Sequence, residues 1–521
     1  MKKNKYPKIV LLQVSGEIDQ YWEFYPPLGL VSLASYLTAY SKIPKENIII
    51  LDTSFPDYED LILAFNPDIL GFSTFSNNYD YCVRVAKNFK QQGLNSLFIL
   101  GGVHISIFPD TLDSVFDIAV RKEGEETFLK IVKKWQKFIK KNDTSVFFDL
   151  KGIAYHGQDG VIANIDRPML FPLDKIPKID WSFLPSLFFR KEIVKETINS
   201  WKSHKVAPLF TVRGCPYNCI FCARSALWKR VRFFSEKRVV DEIEDLHKNF
   251  GVTAINIWDD VFTLNISRLK KIEDLMREKN LLGKVIFYWV FARSDLFTPE
   301  MAQQLKNLHV KSVAFGFESG SARILKFLKN DTTTTQNNKK AVELCEKEGI
   351  NYVACVMMGI PTETKVEMKK TFIMIKKMFA TTALQVIDLA RATPFPGTEL
   401  FDYSLKKGLI PKNYGTMSGS LSLNDPRMDK PLLIKNKNSI KAYRYYWNKI
   451  KKYENELAKR NSKQKGFKDS KSDIESFNNF NKKVFLPLFI FKYIKSSRIN
   501  FIIRFILLKL MRLLKKVINK F

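Results

Sequence analysis

Short apolar runs alternate with longer amphipathic stretches from Lys8 to about residue 400, and the alternation then stops. In residues 1–140 the runs Lys8–Val14, Asn47–Leu51, Asp68–Thr74, Ser96–Gly101 and Asp117–Val120 predict strands, being brief, apolar and bounded by turn residues. Pro27–Tyr40, Asn78–Gln92 and Glu125–Ile139 predict helices between them. This alternation predicts an α/β fold with a Rossmann-like, doubly wound parallel sheet. Ligands of such sheets bind beyond the C-terminal ends of the strands, and small or polar residues gather there: Gly71-Phe72-Ser73-Thr74, Gly101-Gly102-Val103-His104 and Glu123-Gly124-Glu125. Taken singly, each group also fits an ordinary tight strand-to-helix turn, and His104 by itself reads as a turn or core histidine.

Residues 141–205 read as a hairpin and linker. Val146–Tyr155 and Val161–Ile165 flank Gly157-Gln158-Asp159-Gly160, a hairpin pattern, and a proline-bearing stretch runs on to Pro185. Residues 206–400 repeat strand and helix, with strands expected at 208–213, 253–259, 284–292, 311–317, 351–358 and 384–390. Such units make a partial (β/α)6 TIM-type barrel, whose chemistry sits at the C-terminal ends of the strands. Thr298 before Pro299-Glu300 predicts an N-cap with proline at the first helical position. Residues 401–481 read as a mainly helical extension, with a charged helix at Ser439–Lys459 and a polar, flexible stretch from Arg460 to Asn481.

Charge changes the picture at the C-terminus. The net charge is +31, and after Glu475 no acidic residue occurs while eleven Lys or Arg follow. In the tail 482–521, Arg504, Lys509, Arg512, Lys515, Lys516 and Lys520 share one side of a helix, with Ile506, Leu507, Leu510, Leu513, Leu514, Val517, Ile518 and Phe521 opposite and Phe505 and Leu508 the exceptions. A basic amphipathic helix of this kind suits an anionic membrane surface, and it also suits docking on the chain's own catalytic domain. Its basic residues recur too often for a transmembrane span. The chain carries no recognised nucleic-acid module, so no nucleic-acid partner is expected. The absence of an export pattern and the few cysteines give an expectation of cytoplasmic location, with peripheral attachment at the inner face of the membrane.

The candidate chemistry centres on Cys215-Pro216-Tyr217-Asn218-Cys219-Ile220-Phe221-Cys222. Three close thiolates on one loop suit a [4Fe–4S] cluster that leaves one iron free of protein. A three-cysteine zinc site with a distant fourth ligand meets the same spacing. The loop follows the first strand of the barrel and so lies on its chemical face. The other strand ends carry Trp258-Asp259-Asp260, Phe291-Ala292-Arg293, Gly316-Phe317-Glu318-Ser319 and Met358-Gly359-Ile360-Pro361. Carboxylates and an arginine there can hold a zwitterion by its ammonium and carboxylate, and singly each also reads as a helix cap. Cys82, Cys345 and Cys355 are isolated in apolar contexts and read as buried small hydrophobes.

The cysteine loop resembles the signature of the radical S-adenosylmethionine enzymes. The Gly316-Phe317-Glu318-Ser319 and Gly359-Ile360-Pro361-Thr362-Glu363 runs are similar to motifs of the same family. Pro27-Leu28-Gly29-Leu30 and Ile99-Leu100-Gly101-Gly102-Val103-His104 look like parts of the cobalamin-binding domain that many members carry. The resemblance implies that Cys215, Cys219 and Cys222 ligate three irons and that S-adenosylmethionine chelates the fourth. It implies Phe221 against the adenine, Asp259 and Asp260 toward the ammonium, and Arg293, Glu318 and Ser319 toward the carboxylate or ribose. Gly359 and Pro361 would shape the adenine pocket. For cobalamin it implies Gly29, Ser73, Gly101, Gly102, His104, Glu123 and Gly124. The Asp-x-His-x-x-Gly pattern of histidine-ligated cobalamin is missing from residues 1–140, since Gly102-Val103 precedes His104.

The function implied is methyl transfer to an unactivated carbon, initiated by reductive cleavage of S-adenosylmethionine to a 5′-deoxyadenosyl radical. Reduced flavodoxin or ferredoxin would be the electron donor, and a small molecule or lipid-like compound the substrate. A non-methylating radical cyclase, oxidase or rearranging enzyme is the first alternative. A non-enzymatic, membrane-associated cobalamin or redox sensor is the second. A methylthiotransferase is disfavoured, because Cys82 alone in the N-terminal domain cannot hold a second cluster.

Overall fold

The computed structural model describes residues 5–15, 26–55, 57–184, 204–228, 230–414 and 430–463. Among them the chain forms two compact units, one of residues 5–169 with 176–184 and one of residues 170–175 with 204–463.

The first unit runs β1 (Ile9–Gln13), α1 (Leu28–Ser41), β2 (Ile48–Asp52), α2 (Tyr58–Phe65), β3 (Ile69–Thr74), α3 (Tyr79–Gln91), β4 (Leu97–Gly102), α4 (Val103–Ile107), β5 (Ile118–Val120), α5 (Glu125–Lys141), β6 (Ile153–Gly157) and β7 (Gly160–Ala163). The sheet order is β2-β1-β3-β4-β5-β6-β7. Strands β1 to β5 are parallel, and their near-continuous apolar sequences are buried because helices cover both faces. Order reverses between β1 and β3, which sets the ligand crevice at their carboxyl ends.

The hairpin expected in the connector belongs to this sheet. β6 pairs antiparallel with β5, and β7 with β6, so the first unit reaches past residue 140 to residue 169. The strand expected from Val146 begins only at Ile153, because Thr144–Phe147 forms a 3-10 turn capped by Asp143. Helix α2 was not anticipated: Leu61-Ile62-Leu63-Ala64-Phe65 is too short and too continuously apolar to show a helical period.

The second unit runs β8 (Val206–Leu209), β9 (Val212–Arg213), α6 (Arg224–Leu227), β10 (Arg232–Phe233), α7 (Glu236–Phe250), β11 (Ala254–Ile257), α8 (Ile266–Glu278), β12 (Ile286–Ala292), α9 (Pro299–Asn307), β13 (Val310–Glu318), α10 (Ala322–Lys329), α11 (Thr335–Glu348), β14 (Asn351–Met358), α12 (Lys365–Phe379), β15 (Leu384–Arg391), α13 (Glu399–Lys406) and α14 (Lys437–Lys463). Six parallel strands, in the order β15-β14-β13-β12-β11-β8, make the expected partial barrel. The Thr298 hydroxyl accepts from Met301 N at 3.2 Å ahead of Pro299, as its sequence predicts.

Helix α14 closes the β15 edge. Arg460 donates to the carbonyls of Phe379 at 3.1 Å and Leu384 at 3.4 Å, and Asn461 Nδ2 donates to Gln385 O at 2.7 Å. The bonds to Leu384 and Gln385 occupy carbonyls of the edge strand that would otherwise be a template for another strand. The charged helix expected at Ser439–Lys459 is therefore longer, ending at Lys463. The rest of the polar stretch and the whole amphipathic tail 482–521 lie outside the described residues. None of the described helices is long and apolar enough to cross a membrane.

Candidate active site

The first barrel strand was expected to be continuous over 208–213, but it breaks after Leu209. The break has a named cause. Asp259, just past the end of β11, accepts from Thr211 N at 2.6 Å, from Val212 N at 2.9 Å and from the Thr211 hydroxyl at 2.5 Å. The carboxylate thus takes the amides that a continuing ladder would use, and β9 leaves the sheet to pair with β10. Gly214 follows at φ +90°, where a Cβ would lie 2.5 Å from Arg230 O, so glycine alone fits this entry to the cysteine loop.

The loop is fastened along its length. Ile220 N donates to Leu328 O at 3.0 Å, Leu400 N to Ile220 O at 2.8 Å and Asn330 Nδ2 to Asn218 O at 2.7 Å. Cys222 N donates to Cys219 O at 3.0 Å, closing a turn between two of the cysteines. Cys215, Cys219 and Cys222 are all half-buried and free of disulfides. Burial pushes the Cys215 thiol up to about 11, with Asp260 and the other two thiols adding to the effect. Burial also raises Cys222, with Cys219 and Asp260 acting in the same direction. The thiols therefore share one small space. Among the described residues no three His, Cys, Asp or Glu side chains converge on a single ion. Three thiols on one loop suit a cubane, in which each thiolate serves its own iron.

The other candidates divide in two. Arg293 packs on the loop: its Nη1 donates to Cys219 Sγ at 3.6 Å and its guanidinium lies 3.5 Å from the Tyr217 ring centroid. Asp260 stands beside the same thiols, ion-paired to Arg224, and its second oxygen, Oδ2, is buried with no hydrogen-bond partner among the described residues. Glu318 ends β13 at φ +56°, buried, with Lys329 Nζ 3.6 Å away. Gly316 makes room for it, since a Cβ there would meet Glu318 Oε1 at 2.3 Å. Gly359, at φ +84°, donates from its amide to Glu363 Oε2 at 2.8 Å, and buried Pro361 follows in the same turn. Phe221 is half-buried within the loop.

Two residues are turned inward to structure instead. Asp259 is 1 % exposed and accepts from Thr211 and Val212, two bonds at Oδ1 and one at Oδ2. Ser319 is fully buried, its hydroxyl 3.1 Å from the Thr371 hydroxyl and accepting from Ser321 N at 3.1 Å. Cys355 also departs from expectation. By residue exposure it is half-buried, and it lies opposite Asp388 on β15.

In the first unit, Gly102 takes φ +106°, and a Cβ would sit 2.2 Å from Thr74 O, so the ends of β3 and β4 approach as only glycine permits. Gly101 pairs with half-buried Ser73, Gly124 faces Leu33 at the start of α5, and Gly29 has open space on its Cβ side. Glu123 is half-buried in the turn before α5. Asn78, which sequence reasoning missed, locks the reversal point: its Oδ1 accepts from Phe75 N at 2.8 Å and its Nδ2 donates to Val14 O at 2.5 Å. His104 is withdrawn. It is fully buried, with Nδ1 3.0 Å from the Ser76 hydroxyl, Nε2 2.9 Å from the Thr111 hydroxyl, and its ring stacked on Tyr79 at 4.0 Å. Both ring nitrogens thus have hydroxyl partners.

Residues 209–375 match the Radical SAM superfamily, and residues 20–132 match the B12 binding domain family. An uncharacterized methyltransferase of Pyrococcus horikoshii is 31% identical over 395 residues, 74% of this chain and 80% of that protein. The chain belongs to the cobalamin-dependent radical S-adenosylmethionine enzymes. An anaerobic magnesium-protoporphyrin IX monomethyl ester cyclase of Rubrivivax gelatinosus is 28% identical, over 72% of this enzyme and 66% of the cyclase. The radical S-adenosylmethionine methyltransferase TsrM of Kitasatospora setae, solved with cobalamin and a [4Fe-4S] cluster bound, shares the fold. Its TM-score is 0.61 at 17% identity, covering 77% of this enzyme and 78% of TsrM.

The cofactors of this enzyme are thus a [4Fe–4S] cluster, S-adenosylmethionine and cobalamin. The residues present fit them. The three grouped thiols suit the cluster, and the orphaned Asp260 oxygen beside them suits an ammonium. The carboxyl edge of the first sheet presents backbone rather than side chains at Gly101 and Gly102.

Proposed function

We propose that this enzyme transfers a methyl group to an unactivated carbon of a small-molecule or lipid-like substrate, using electrons from reduced flavodoxin or ferredoxin. The observation that carries the reading is the presence, in one chain similar to a methyltransferase, of a three-thiol loop and a B12-type sheet. Bound together, the cofactors supply reductive cleavage of a sulfonium and a transferable methyl group. The chain's own residues position and shield. Asp260 accepts the ammonium of S-adenosylmethionine through its free oxygen, and the turn at Gly359–Pro361 offers backbone to the adenine, with Phe221 against its face. Glu318, its charge offset by Lys329, lies toward the ribose. Trp258 and Trp289, with ring centroids 6.5 and 6.2 Å from that of Phe291, form an aromatic group with it near the ends of β11 and β12 that would exclude water from the reacting carbon.

Anaerobic incubation with S-adenosylmethionine, a strong reductant and candidate substrates tests the reading. Formation of both 5′-deoxyadenosine and S-adenosylhomocysteine is expected. The cyclase relative favours a second reading, radical ring closure or oxidation without methyl transfer, for which 5′-deoxyadenosine alone would form. Absence of both products overturns the two together.

We also propose that the enzyme works in the cytoplasm and that its basic tail binds an anionic membrane surface. The charge pattern of residues 482–521 supports this. Liposome sedimentation of the full chain and of a chain ending at residue 481 decides it: equal binding by the two removes the tail from membrane attachment.

A further inference from the structure

Arg293 stands in the turn after β12 and is 6 % exposed. Its guanidinium is pinned on every side. Nη2 donates to the hydroxyls of Thr332 and Thr333, both at 2.8 Å, and lies 3.0 Å from Asp295 Oδ1. Nε donates to Asp295 Oδ2 at 3.4 Å, and the Thr333 hydroxyl donates in turn to Asp295 Oδ1 at 2.8 Å. The remaining arm reaches the cysteine loop, where Nη1 donates to Cys219 Sγ at 3.6 Å and the guanidinium plane rests on Tyr217. A group held this way has little freedom left to clasp a substrate carboxylate, and its fixed direction is toward one cluster sulfur.

We propose that Arg293 is a positioning residue of the iron–sulfur cluster that also raises its reduction potential. Reduction adds one negative charge to the cluster. A buried cation and an N–H donor at a ligating sulfur stabilise the reduced form more than the oxidised one. Burial keeps solvent and salt from screening the effect. Tyr217 transmits the positioning half, since the ring that supports the cation is two residues from Cys215 and two from Cys219. The proposal rests on the cluster and not on methyl transfer.

The test is an electron paramagnetic resonance redox titration of the full chain after anaerobic reconstitution, with iron and sulfide counted on the same samples. Arg293→Gln is expected to keep the cluster and shift the reduction equilibrium about tenfold toward the oxidised form, ~59 mV more negative for one electron. Arg293→Lys keeps the charge but loses the fork, so its shift is smaller. A full cluster with an unchanged potential in both variants overturns the proposal. Should Arg293→Gln lose the cluster, Thr333→Val, which removes one anchor of the guanidinium, is expected to shift the potential the same way by less. An unchanged potential in Thr333→Val, or loss of the cluster from all three variants, overturns the tuning role. A wild-type chain without iron would instead strike the cofactor assignment.

Discussion

Asp259 clasps Thr211 at two points, the Thr211 amide donating to Oδ1 at 2.6 Å and its hydroxyl donating to Oδ2 at 2.5 Å. Arg268 joins them, donating to the Thr211 hydroxyl at 3.3 Å and to Thr211 O at 3.2 Å. The first expectation follows from burial. Asp259→Ala strands two amides and a hydroxyl away from water and removes the carboxylate charge beside Arg268, at a cost of about 3 kcal/mol or more. Asp259→Asn keeps one acceptor and one partner for the hydroxyl and costs less. Urea unfolding of the cluster-free chain measures both. Weakened S-adenosylmethionine binding at full stability in Asp259→Ala would instead restore the ligand role that the sequence implied.

Glu363 titrates against the fold. Burial pushes it up to about 8 from 4.5, although Gly359 N and Ile360 N both donate to Oε2. The folded state therefore holds this proton more tightly than the unfolded chain. Stability falls as pH rises from about 4.5 through about 8, by a few kcal/mol in all, and is level above. Glu363→Gln mimics the protonated form. It is expected to remove that fall while leaving stability at pH 5 nearly unchanged, as read from unfolding midpoints across the range.

His104 has the opposite sign. Burial lowers it to about 4 from 6.5, so unfolding takes up a proton and stability is lost as pH falls from about 6.5 to about 4, by about 3 kcal/mol. His104→Asn should flatten this limb. Because both ring nitrogens already have partners, bound cob(II)alamin is expected to show no nitrogen splitting from His104, and the variant's cobalt spectrum should match the wild type. A spectrum that changes on substitution would make His104 a ligand after all.

The parts of this enzyme that were legible in its sequence are those where a local pattern carries the physics. Apolar runs in the order of β1 to β5 and of the barrel strands gave both sheets, and the cysteine spacing gave the cluster loop. What escaped depends on partners distant in sequence. Asp259 and Asp260 are adjacent and chemically alike, yet one is spent on Thr211, 48 residues away, and the other keeps a free oxygen. The hairpin's membership of the first sheet depends on β5 offering an edge, which no property of residues 153–163 reveals. Tyr217 was visible between cysteines, but its role needs Arg293 to arrive from β12.

Asp260 gives the sharpest test of the site. One oxygen is held by Arg224, and the other is buried without a hydrogen bond among the described residues, a condition costly unless a donor arrives. An ammonium at that oxygen forms a charge-assisted bond worth about 1.5–3 kcal/mol. Asp260→Asn is therefore expected to weaken S-adenosylmethionine binding about tenfold to hundredfold, with iron and sulfide content retained. The readout is the ligand concentration needed to perturb the spectrum of the reduced cluster. Arg224→Gln separates the two roles of the carboxylate. If Asp260 acts by receiving the ammonium, removing Arg224 leaves its charge available and binding holds or tightens. If it acts only by anchoring Arg224, the two substitutions weaken binding equally, and the ammonium contact is lost as an explanation.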